Sequence, residues 1–353
     1  MISFGIIGCG RIAIRHCDIL TSDNLGNVKL KAVCDRKWDR ASKFGAEYNC
    51  SAYVDFNEMI QCEDLDVVVI LTESGLHARI ALEIAKYRKH VIVEKPMALN
   101  LSDANEMIKR YAAMNKYLFV VKQNRFNLPI KKLRSAVETG LFGKLVLGTV
   151  RVRWMRKQSY YDQAPWRGTW NWDGGVLANQ ASHHLDMLLW MMGEPSSVSG
   201  VSSTALANIE AEDTAVAHVK FRNGALGVIE ATTAARPKDL EGSISILGEN
   251  GTVEVAGFAM NELKTWMFKN SENEGNENLD RYSINPPDVY GFGHAAFYEH
   301  VVDCLLNGSK PLVDGAEGRK SLELICAIYQ SIETESVVKF PLLSSEIKLG
   351  GGQ

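Results

Sequence analysis

The stretch SFGIIGCGRIA (residues 3–13) is an apolar strand that runs into the turn Gly8-Cys9-Gly10-Arg11-Ile12-Ala13. This G-x-G-x-x-A spacing is typical of a dinucleotide-binding fold, in which Gly8 permits the tight turn and Gly10 lets the backbone approach a pyrophosphate. The N-terminus of the helix that follows attracts phosphate charge, so Arg11 and Ile12 are also expected at the cofactor. The pattern alone is weak, and the sequence around it decides its meaning.

Apolar strand patterns alternate with helical patterns over residues 1–123. The strands VKLKAVCD, DVVVILT, HVIVEKP and YLFVVKQN are separated by amphipathic helices such as LSDANEMIKRYAAMN. Buried strands that alternate with helices indicate a doubly wound parallel sheet, whose ligands lie at the carboxyl ends of its strands. The sequence therefore predicts an α/β protein with an N-terminal dinucleotide-binding Rossmann domain at residues 1–123.

An acidic residue stands at the end of the second strand. Asp35 can accept hydrogen bonds from the adenine ribose hydroxyls, which predicts NAD rather than NADP as the cofactor. The alternative is an ordinary turn residue, and Arg36 directly after it could lie under a 2′-phosphate. Further cofactor contacts are expected at the ends of later strands, from Thr72, Ser74, His77, Glu94, Lys95 and Gln123.

The composition is that of an ordinary globular enzyme. The chain has 353 residues, of which 46% are hydrophobic and 23% charged, with a formal net charge of −3. The mixed charges give no sign of binding to nucleic acid or membranes, and no apolar run approaches the ~20 residues of a membrane span. Seven scattered cysteines without C-x-x-C spacing predict a reducing cytoplasmic location, with neither disulfides nor a metal site.

After residue 123 the sequence pattern changes. Asn-Gly turns lie between strand patterns in VAHVKFRNGALGVIEAT and SISILGENGTVEVAG, and they predict β-hairpins. We expect a C-terminal α+β domain at residues 124–353, with a large, mainly antiparallel open sheet and helices on one side. Its polar segment 269–281 is expected to form a mobile loop.

Two features of the sequence are candidates for acid–base chemistry. Lys95 ends a buried strand, and partial burial favours the use of a lysine as a proton acceptor, although a surface lysine is the alternative. His183 and His184 open an apolar helical pattern and point about 100° apart, so they cannot serve one spot. His183 shares a helix face with Asp186, which could orient its imidazole, whereas His184 aligns with apolar residues such as Leu188. The pattern favours His183 as the chemical residue over the alternative that both are ordinary helix-start residues.

Glu94-Lys95-Pro96 follows a later strand than the G-x-G-x-x-A turn. Together, these two motifs resemble the signature of the glucose–fructose oxidoreductase / inositol dehydrogenase / MocA (Gfo/Idh/MocA) family. The resemblance implies an NAD-dependent dehydrogenase with a cis Lys95–Pro96 bond and with Lys95 and His183 as catalytic residues on either side of the nicotinamide. Two positions depart from the family pattern. Asn179 stands where many members place an aspartate, and Glu73 stands where relatives usually carry proline.

Longer blocks such as DGGVLANQASHHLD and YYDQAPWRGTW are similar to the WlbA/WbpB-like branch of that family. This implies NAD-dependent oxidation of the C3 hydroxyl of UDP-N-acetyl-D-glucosaminuronic acid (UDP-GlcNAcA) to a 3-keto sugar, in bacterial lipopolysaccharide or O-antigen sugar biosynthesis. It also implies a homotetramer and a downstream aminotransferase, and some relatives recycle NADH with 2-oxoglutarate. A dehydrogenase of a free polyol or sugar (inositol, glucose) and a non-catalytic NAD-binding regulator are the alternatives. Both candidate catalytic residues are present, which argues against the regulator.

Cations and aromatic side chains are concentrated in residues 151–170. A UDP-linked sugar acid needs cations for its pyrophosphate and carboxylate, and arginine can hold either with two parallel hydrogen bonds. The strand period places Arg151 and Arg153 on one face, where an oligomer interface is equally compatible with them. Substrate contacts are expected from Lys95, Lys122, Asn124, Arg125, Arg153, Trp166, Arg167, Asn179 and His183.

Overall fold

The computed structural model describes residues 1–257, 260–269, 279, 282–283, 292–342 and 347–351. The chain forms two compact units, Met1–Lys122 with His294–Arg319 and Gln123–Gly293 with Lys320–Gln353. The predicted domain boundary lies after residue 123 and leaves residues 294–319 in the second domain, whereas in the structure they lie in the first unit. The expected loop at 269–281 lies almost entirely outside the described residues.

The first unit contains a parallel six-stranded sheet. Its strands are β1 (Ile2–Ile7), β2 (Val28–Cys34), β3 (Ser51–Tyr53), β4 (Val67–Ile70), β5 (His90–Val93) and β6 (Leu118–Val120), in the order β3-β2-β1-β4-β5-β6. The intervening helices are α1 (Arg11–Leu20), α2 (Trp38–Glu47), α3 (Phe56–Cys62), α4 (His77–Ile84) and α5 (Leu101–Ala113), with 3₁₀ turns at Asp23–Leu25, Ser74–Leu76 and Ala85–Tyr87. Strands β1 and β4 are buried throughout, as the mainly apolar sequence of β1 and the wholly apolar sequence of β4 predict. The predicted Rossmann domain is confirmed.

The second unit contains a mixed eight-stranded sheet. After a 3₁₀ turn at Gln123–Phe126 come α6 (Leu128–Glu138), β7 (Leu145–Arg153), α7 (Gln158–Tyr161), α8 (Ser182–Met192), β8 (Pro195–Ser203), β9 (Thr214–Phe221), β10 (Leu226–Thr232), β11 (Glu241–Gly248), β12 (Gly251–Ala256) and β13 (Glu262–Phe268). Strand β14 (Val338–Lys339) completes this sheet, whose order is β13-β12-β11-β7-β10-β9-β8-β14. Helix α9 (Gly293–Asn307) lies in the first unit from His294 onward, and α10 (Gly315–Thr334) begins in the first unit and continues in the second from Lys320.

The two predicted hairpins are confirmed as the antiparallel pairs β9–β10 and β11–β12. The pair β7–β10 is parallel, a long-range pairing that no turn signal in the sequence reveals. Within the described residues, no helix combines the length and the apolar character that a membrane crossing requires.

Helix α8 packs against the middle of this sheet. A Cβ atom at Gly148 would lie 2.8 Å from Leu188 Cδ1 and 2.7 Å from Met192 Cγ, so the glycine lets the helix approach β7 closely. Because side chains alternate along a strand, residues 148, 150 and 152 face α8 and residues 151 and 153 face the opposite side of the sheet. Helix α8, which carries His183, therefore packs on one face of the sheet, and Arg151 and Arg153 lie on the other face.

Candidate active site

The glycine-rich turn has the geometry of a phosphate-binding turn. Gly8 has a φ of +100°, and a Cβ atom there would lie 2.7 Å from the carbonyl oxygen of Leu71, so only glycine fits. A Cβ at Gly10 would meet nothing within 4 Å, and Gly10 is the N-cap of α1, which begins at Arg11 without a side-chain cap. The uncapped backbone N–H groups at the start of α1 therefore fit the pyrophosphate of a dinucleotide.

Asp35 connects the glycine-rich turn to the end of β2. Its Oδ2 accepts a hydrogen bond from the backbone N–H of Cys9 at 3.0 Å, and its Oδ1 accepts one from Lys37 N–H at 2.9 Å. Each carboxylate oxygen has a second lone pair, so the same group can also accept ribose hydroxyls. The buried Asp35 is thus held in place by the turn that would bind the pyrophosphate.

Glu73, one of the two departures from the family pattern, lies beside Arg36. Its Oε1 is 3.8 Å from Arg36 Nη2, and the arginine side chain is largely exposed. Arg36 is the residue that the sequence analysis considered as a partner for a 2′-phosphate. The structure therefore gives Glu73 a physical consequence, because it places a carboxylate against that arginine.

His77 links the segments that follow β4 and β5. Its Nδ1 lies 2.7 Å from the carbonyl oxygen of Pro96, and its Nε2 lies 3.0 Å from that of Thr72. Burial lowers the pKa of His77 below its ordinary value, so the neutral ring has one N–H to donate to these two acceptors. Ser74 opens the short 3₁₀ turn between Thr72 and His77 and is buried as well. Thr72, Ser74 and His77 were predicted to contact the cofactor, and the hydrogen bonds of His77 join the ends of the two strands where that contact is expected.

Lys95 stands in a turn whose backbone is held by Glu94. The Lys95–Pro96 bond is cis, as the family resemblance implied. Glu94 Oε2 accepts the backbone N–H of Lys95 at 3.0 Å, and Oε1 lies 3.3 Å from His16 Nε2. Burial would raise the pKa of Glu94, but hydrogen bonds from His16 and His294 hold that pKa well below its ordinary value. An ionised, buried carboxylate therefore supports the turn that carries the candidate catalytic lysine.

His183 lies at the start of α8 and is contacted by Gln123. The amide nitrogen of Gln123 lies 3.1 Å from His183 Nε2, so an amide N–H can donate to a neutral imidazole. Arg125, two residues further along the same 3₁₀ turn, donates from Nε and Nη2 to the two carboxylate oxygens of Asp186 at 2.8 Å each. From the sequence, Gln123 was predicted to contact the cofactor and Arg125 the substrate. The structure places both against the His183–Asp186 side of the helix.

His184 is buried on a different side of α8. It is 1% exposed, and its ring meets the Trp154 ring edge-on at a centroid distance of 5.7 Å. Burial lowers the pKa of His184 to about 3, so its ring is uncharged near neutral pH. This environment agrees with the structural role that the helical pattern favoured.

Asn179 is hydrogen-bonded to an aspartate that the sequence analysis did not single out. Its Nδ2 donates to Asp173 Oδ1 at 2.6 Å, while Asp173 Oδ2 accepts the backbone N–H of Gly168 at 3.0 Å. The family's usual carboxylate is missing at position 179, yet a buried carboxylate lies against that position in space. The two positions are six apart in the sequence, and nothing in that spacing predicts the contact.

The segment that leads into α8 is anchored by Glu212, which the sequence analysis also passed over. Glu212 Oε1 accepts the backbone N–H of Leu177 at 2.9 Å and the hydroxyl of Tyr329 at 2.9 Å. Burial raises the pKa of Glu212 to about 7. This carboxyl group fixes the backbone immediately before Asn179 and His183.

Arg153 is already paired with carboxylates. Its Nε lies 2.6 Å from Glu230 Oε1, and its Nη1 lies 2.9 Å from Glu241 Oε1. It also lies on the face of the sheet opposite α8. This placement does not bring Arg153 to His183, and the interface interpretation suits it better than substrate binding.

Arg167 has different surroundings from Arg153. Its guanidinium carbon lies 4.1 Å from the ring centroid of Tyr160 and 5.4 Å from that of Trp166, and Nη1 donates to the Tyr160 carbonyl at 3.2 Å. Within the described part of the chain, Arg167 Nε has no hydrogen-bond partner and no carboxylate pairs with the guanidinium. Of the three arginines predicted to contact substrate, Arg167 is the one whose charge is left for an anionic ligand.

Lys122 and Asn124 lie on either side of the boundary between the units, after β6. Their exposed fractions are 3% and 6%, so neither is an ordinary surface residue.

The donor atoms of His16, Glu94 and His294, all buried in the first unit, lie within 4.8 Å of one another. The sequence analysis predicted no metal site and did not single out these two histidines, because no short-range motif joins positions 16 and 294.

Comparison with known proteins places this chain in a family. Residues 2–122 match the oxidoreductase family NAD-binding Rossmann fold, and residues 134–340 match the oxidoreductase family C-terminal alpha/beta domain. The chain therefore belongs to the Gfo/Idh/MocA oxidoreductase family, and the cofactor of its Rossmann domain is NAD.

Solved structures of WlbA dehydrogenases are similar to this chain over nearly its whole length. The enzyme from Chromobacterium violaceum, in complex with NADH and UDP-GlcNAcA, is 40% identical with a TM-score of 0.91, covering 97% of this chain and 96% of that one. The enzyme from Bordetella pertussis, with the same ligands, is 40% identical with a TM-score of 0.92, covering 97% and 98%. The myo-inositol 2-dehydrogenase of Thermotoga maritima is 29% identical over 345 residues, which are 95% of this chain and 97% of that protein.

Proposed function

We propose that this protein oxidises the C3 hydroxyl of UDP-GlcNAcA to a 3-keto sugar, with NAD as the oxidant. Two similar structures at 40% identity hold NADH and UDP-GlcNAcA, whereas the myo-inositol relative is 29% identical. The observation in this chain that carries the proposal is Arg167, a guanidinium stacked on Tyr160 without a carboxylate partner among the described residues. A free polyol has no anionic group for such a cation to bind.

Lys95 and His183 supply the acid–base chemistry in this proposal. When bound, NAD supplies the hydride acceptor. One of the two side chains takes the hydroxyl proton, and the lysine cation stabilises the charge that develops on the oxygen. Glu94 holds the Lys95 backbone, and Gln123 contacts His183, so each group starts from a fixed position. Asp35 accepts hydrogen bonds from the adenine ribose hydroxyls and so selects NAD over NADP.

The substrate is held by the side chains around α8 and by the aromatic segment. Arg167 binds the sugar carboxylate with two parallel hydrogen bonds, and the half-buried Trp166 ring offers a stacking face for uracil. The hydrogen-bonded pair Asn179–Asp173 offers an amide and a carboxylate to the sugar hydroxyls and N-acetyl group. Lys122 and Asn124 complete the proposed set of contacts.

The biological setting is also part of the proposal. A 3-keto sugar carries the ketone that an aminotransferase needs, so we place the reaction in the cytoplasm, before a transamination in lipopolysaccharide or O-antigen sugar biosynthesis. The exposed face of the second sheet carries Val201, Val216, Leu226 and Val228 at 70%, 46%, 53% and 37% exposure, and it supports assembly into a homotetramer. Turnover measured with and without 2-oxoglutarate distinguishes an enzyme that releases NADH from one that recycles it.

The experiment that tests the proposal compares four substrates. Purified protein is incubated with UDP-GlcNAcA, UDP-N-acetylglucosamine, myo-inositol or glucose, and NADH formation is followed with and without 2-oxoglutarate. UDP-GlcNAcA should react, and UDP-N-acetylglucosamine should react far less, because Arg167 would be left unpaired. Inositol rates comparable to those with UDP-GlcNAcA would move the protein to the free-polyol class.

A further inference from the structure

A buried chain of hydrogen bonds runs behind the turn that carries Lys95. Tyr298 Oη lies 2.7 Å from His16 Nδ1, His16 Nε2 lies 3.3 Å from Glu94 Oε1, and Glu94 Oε2 accepts the backbone N–H of Lys95 at 3.0 Å. His16 and Tyr298 are fully buried. All four residues belong to the first unit, although Tyr298 comes from the segment that returns to this unit late in the chain.

The direction of each hydrogen bond follows from the charges of the groups. Glu94 is ionised and can only accept, so the N–H of His16 must be on Nε2. Burial lowers the pKa of His16, so the ring is neutral and its Nδ1 has a lone pair. Burial raises the pKa of Tyr298, so its hydroxyl keeps its proton and donates to that lone pair. Tyr298 donates to His16, and His16 and Lys95 both donate to Glu94.

This arrangement divides the two oxygens of one carboxylate between two tasks. A buried carboxylate is costly unless it is hydrogen-bonded, and here one oxygen faces the imidazole while the other holds the Lys95 backbone. Because the carboxylate is planar and rigid, the hydrogen bond at Oε1 fixes where Oε2 lies. Losing the His16 contact would let Glu94 rotate and release the Lys95 N–H.

We propose that His16 and Tyr298 are positioning residues for Lys95, and that they act by holding the Glu94 carboxylate in the orientation that anchors the Lys95 backbone. This inference rests on the proposed catalytic role of Lys95. Residues 294–319 then have a catalytic role, because they bring the Tyr298 hydroxyl into hydrogen-bonding contact with His16 in the first unit.

His294 lies beside this chain and defines the main competing explanation. Its ring meets the His16 ring edge-on at 5.4 Å, and its Nε2 is 3.9 Å from Glu94 Oε1. Two imidazoles and a carboxylate this close together are also a donor set for a divalent cation. A bound cation would replace the hydrogen bond between His16 and Glu94, so metal content separates the two explanations.

The first test removes one hydroxyl group and compares it with a matched control. Tyr298→Phe deletes the donor to His16 and keeps the ring. Tyr111→Phe is the control, because Tyr111 is 1% exposed and lies in the same unit. Its hydroxyl donates to the Ala81 carbonyl at 2.8 Å and takes no part in the hydrogen bonds that lead from Tyr298 to Lys95. We expect Tyr298→Phe to lower kcat roughly 10-fold, within the ~10²-fold that a 1 Å misplacement can cost, without changing the Kd of NAD. Tyr111→Phe should lose similar thermal stability and keep its kcat.

The second test asks whether a conservative replacement rescues the function. His16→Gln keeps an N–H that can reach Glu94 from the position of Nε2, whereas His16→Leu fills the buried space without a donor. The Gln variant should retain several-fold more kcat than the Leu variant. A role limited to packing predicts the reverse order, because leucine suits a buried site better than glutamine.

A third measurement does not depend on the substrate. Hydrogen exchange of the NAD-bound protein measures how firmly the Lys95 N–H is hydrogen-bonded. Pro96, the next residue, has no N–H and adds no exchange signal of its own. Exchange in a peptide that covers Lys95 should be faster in Tyr298→Phe and His16→Leu than in Tyr111→Phe. An inactive wild-type protein with UDP-GlcNAcA would refute the proposed function and leave this prediction standing. The inference is overturned if Tyr298→Phe and Tyr111→Phe match in kcat and exchange. One equivalent of divalent metal that His16→Leu removes would also overturn it.

Discussion

The glycine-rich turn and the aromatic segment at residues 151–170 both carry proposed binding residues, yet they determine their chemistry in different ways. At the turn, the backbone supplies the proposed contacts to the cofactor, because Gly8 has a positive φ and Gly10, the N-cap of α1, offers no side-chain cap. In the aromatic segment, the chemistry depends on which partner each side chain finds. Arg153 pairs with two glutamates from other strands, whereas Arg167 stacks on its neighbour Tyr160. A backbone motif can therefore be recognised from sequence, while the state of an arginine depends on contacts distant in sequence.

The largest expected effect comes from the proposed catalytic residues, one in each unit. Lys95→Met and His183→Asn should each lower turnover by roughly 10²-fold or more, the scale of lost acid–base catalysis. His184→Asn is the matched control, because His184 is buried against Trp154 and uncharged. It should lower thermal stability more than turnover. The assignment along α8 would be wrong if the His184 variant were inactive and the His183 variant tolerant.

The next effect tests the difference between the two arginines. Arg167→Met should lower kcat/KM for UDP-GlcNAcA by roughly 10- to 100-fold, the loss of one hydrogen-bonded charge pair at about 1.5–3 kcal/mol. Arg153→Met should have a much smaller effect on kcat/KM, since Arg153 is paired with Glu230 and Glu241 on the opposite sheet face. Steady-state kinetics of both variants decides between them. Equal losses would return Arg153 to the substrate-binding set.

A smaller effect is expected at the ribose end of the cofactor site. NAD should bind the wild-type protein more tightly than NADP, because the Asp35 carboxylate repels a 2′-phosphate. Asp35→Ser should reduce this preference by roughly 10-fold, since a charged hydrogen-bond acceptor is lost and Arg36 becomes a phosphate partner. Calorimetric titration with both nucleotides measures the ratio. Stronger binding of NADP to the wild type would reject this role for Asp35.

The smallest effect concerns the ion pair between Glu73 and Arg36. Glu73→Ala should strengthen NADP binding by at most roughly 5-fold, because an exposed ion pair is worth up to about 1 kcal/mol. The effect should disappear in an Arg36→Ala background, since the arginine is the group that the substitution releases. If Glu73→Ala acts equally in both backgrounds, the 3.8 Å pair has no part in cofactor choice.

Much of the fold was predictable because local patterns specify it. The parallel sheet follows from buried strands between helices, and the two hairpins follow from their Asn-Gly turns. The parallel pairing of β7 with β10 and the return of residues 294–319 to the first unit are long-range contacts without a local signal. Sequence patterns report the period of an element, and they do not report its distant neighbours.

The candidate site divides in the same way. The sequence placed Lys95 at a strand end and His183 at a helix start, and it favoured a structural role for His184. It did not find Asp173 beside Asn179, Arg125 on Asp186, or His16 and Tyr298 behind Glu94. Each of these is a side chain that becomes meaningful only through a partner that folding brings to it. Glu73 became interpretable in the same way, once Arg36 was found beside it.

Hydride transfer from C3 is the central chemical claim, and isotope labelling tests it most directly. The NAD-bound protein is mixed with UDP-GlcNAcA carrying deuterium at C3, and the reduced cofactor is analysed by mass spectrometry after a single turnover. We expect deuterated NADH, whose formation is slowed by a primary isotope effect, and far less reaction in the Arg167→Met variant at the same substrate concentration. Unlabelled NADH from the labelled substrate, or reduction of NAD by myo-inositol but not by UDP-GlcNAcA, would contradict it.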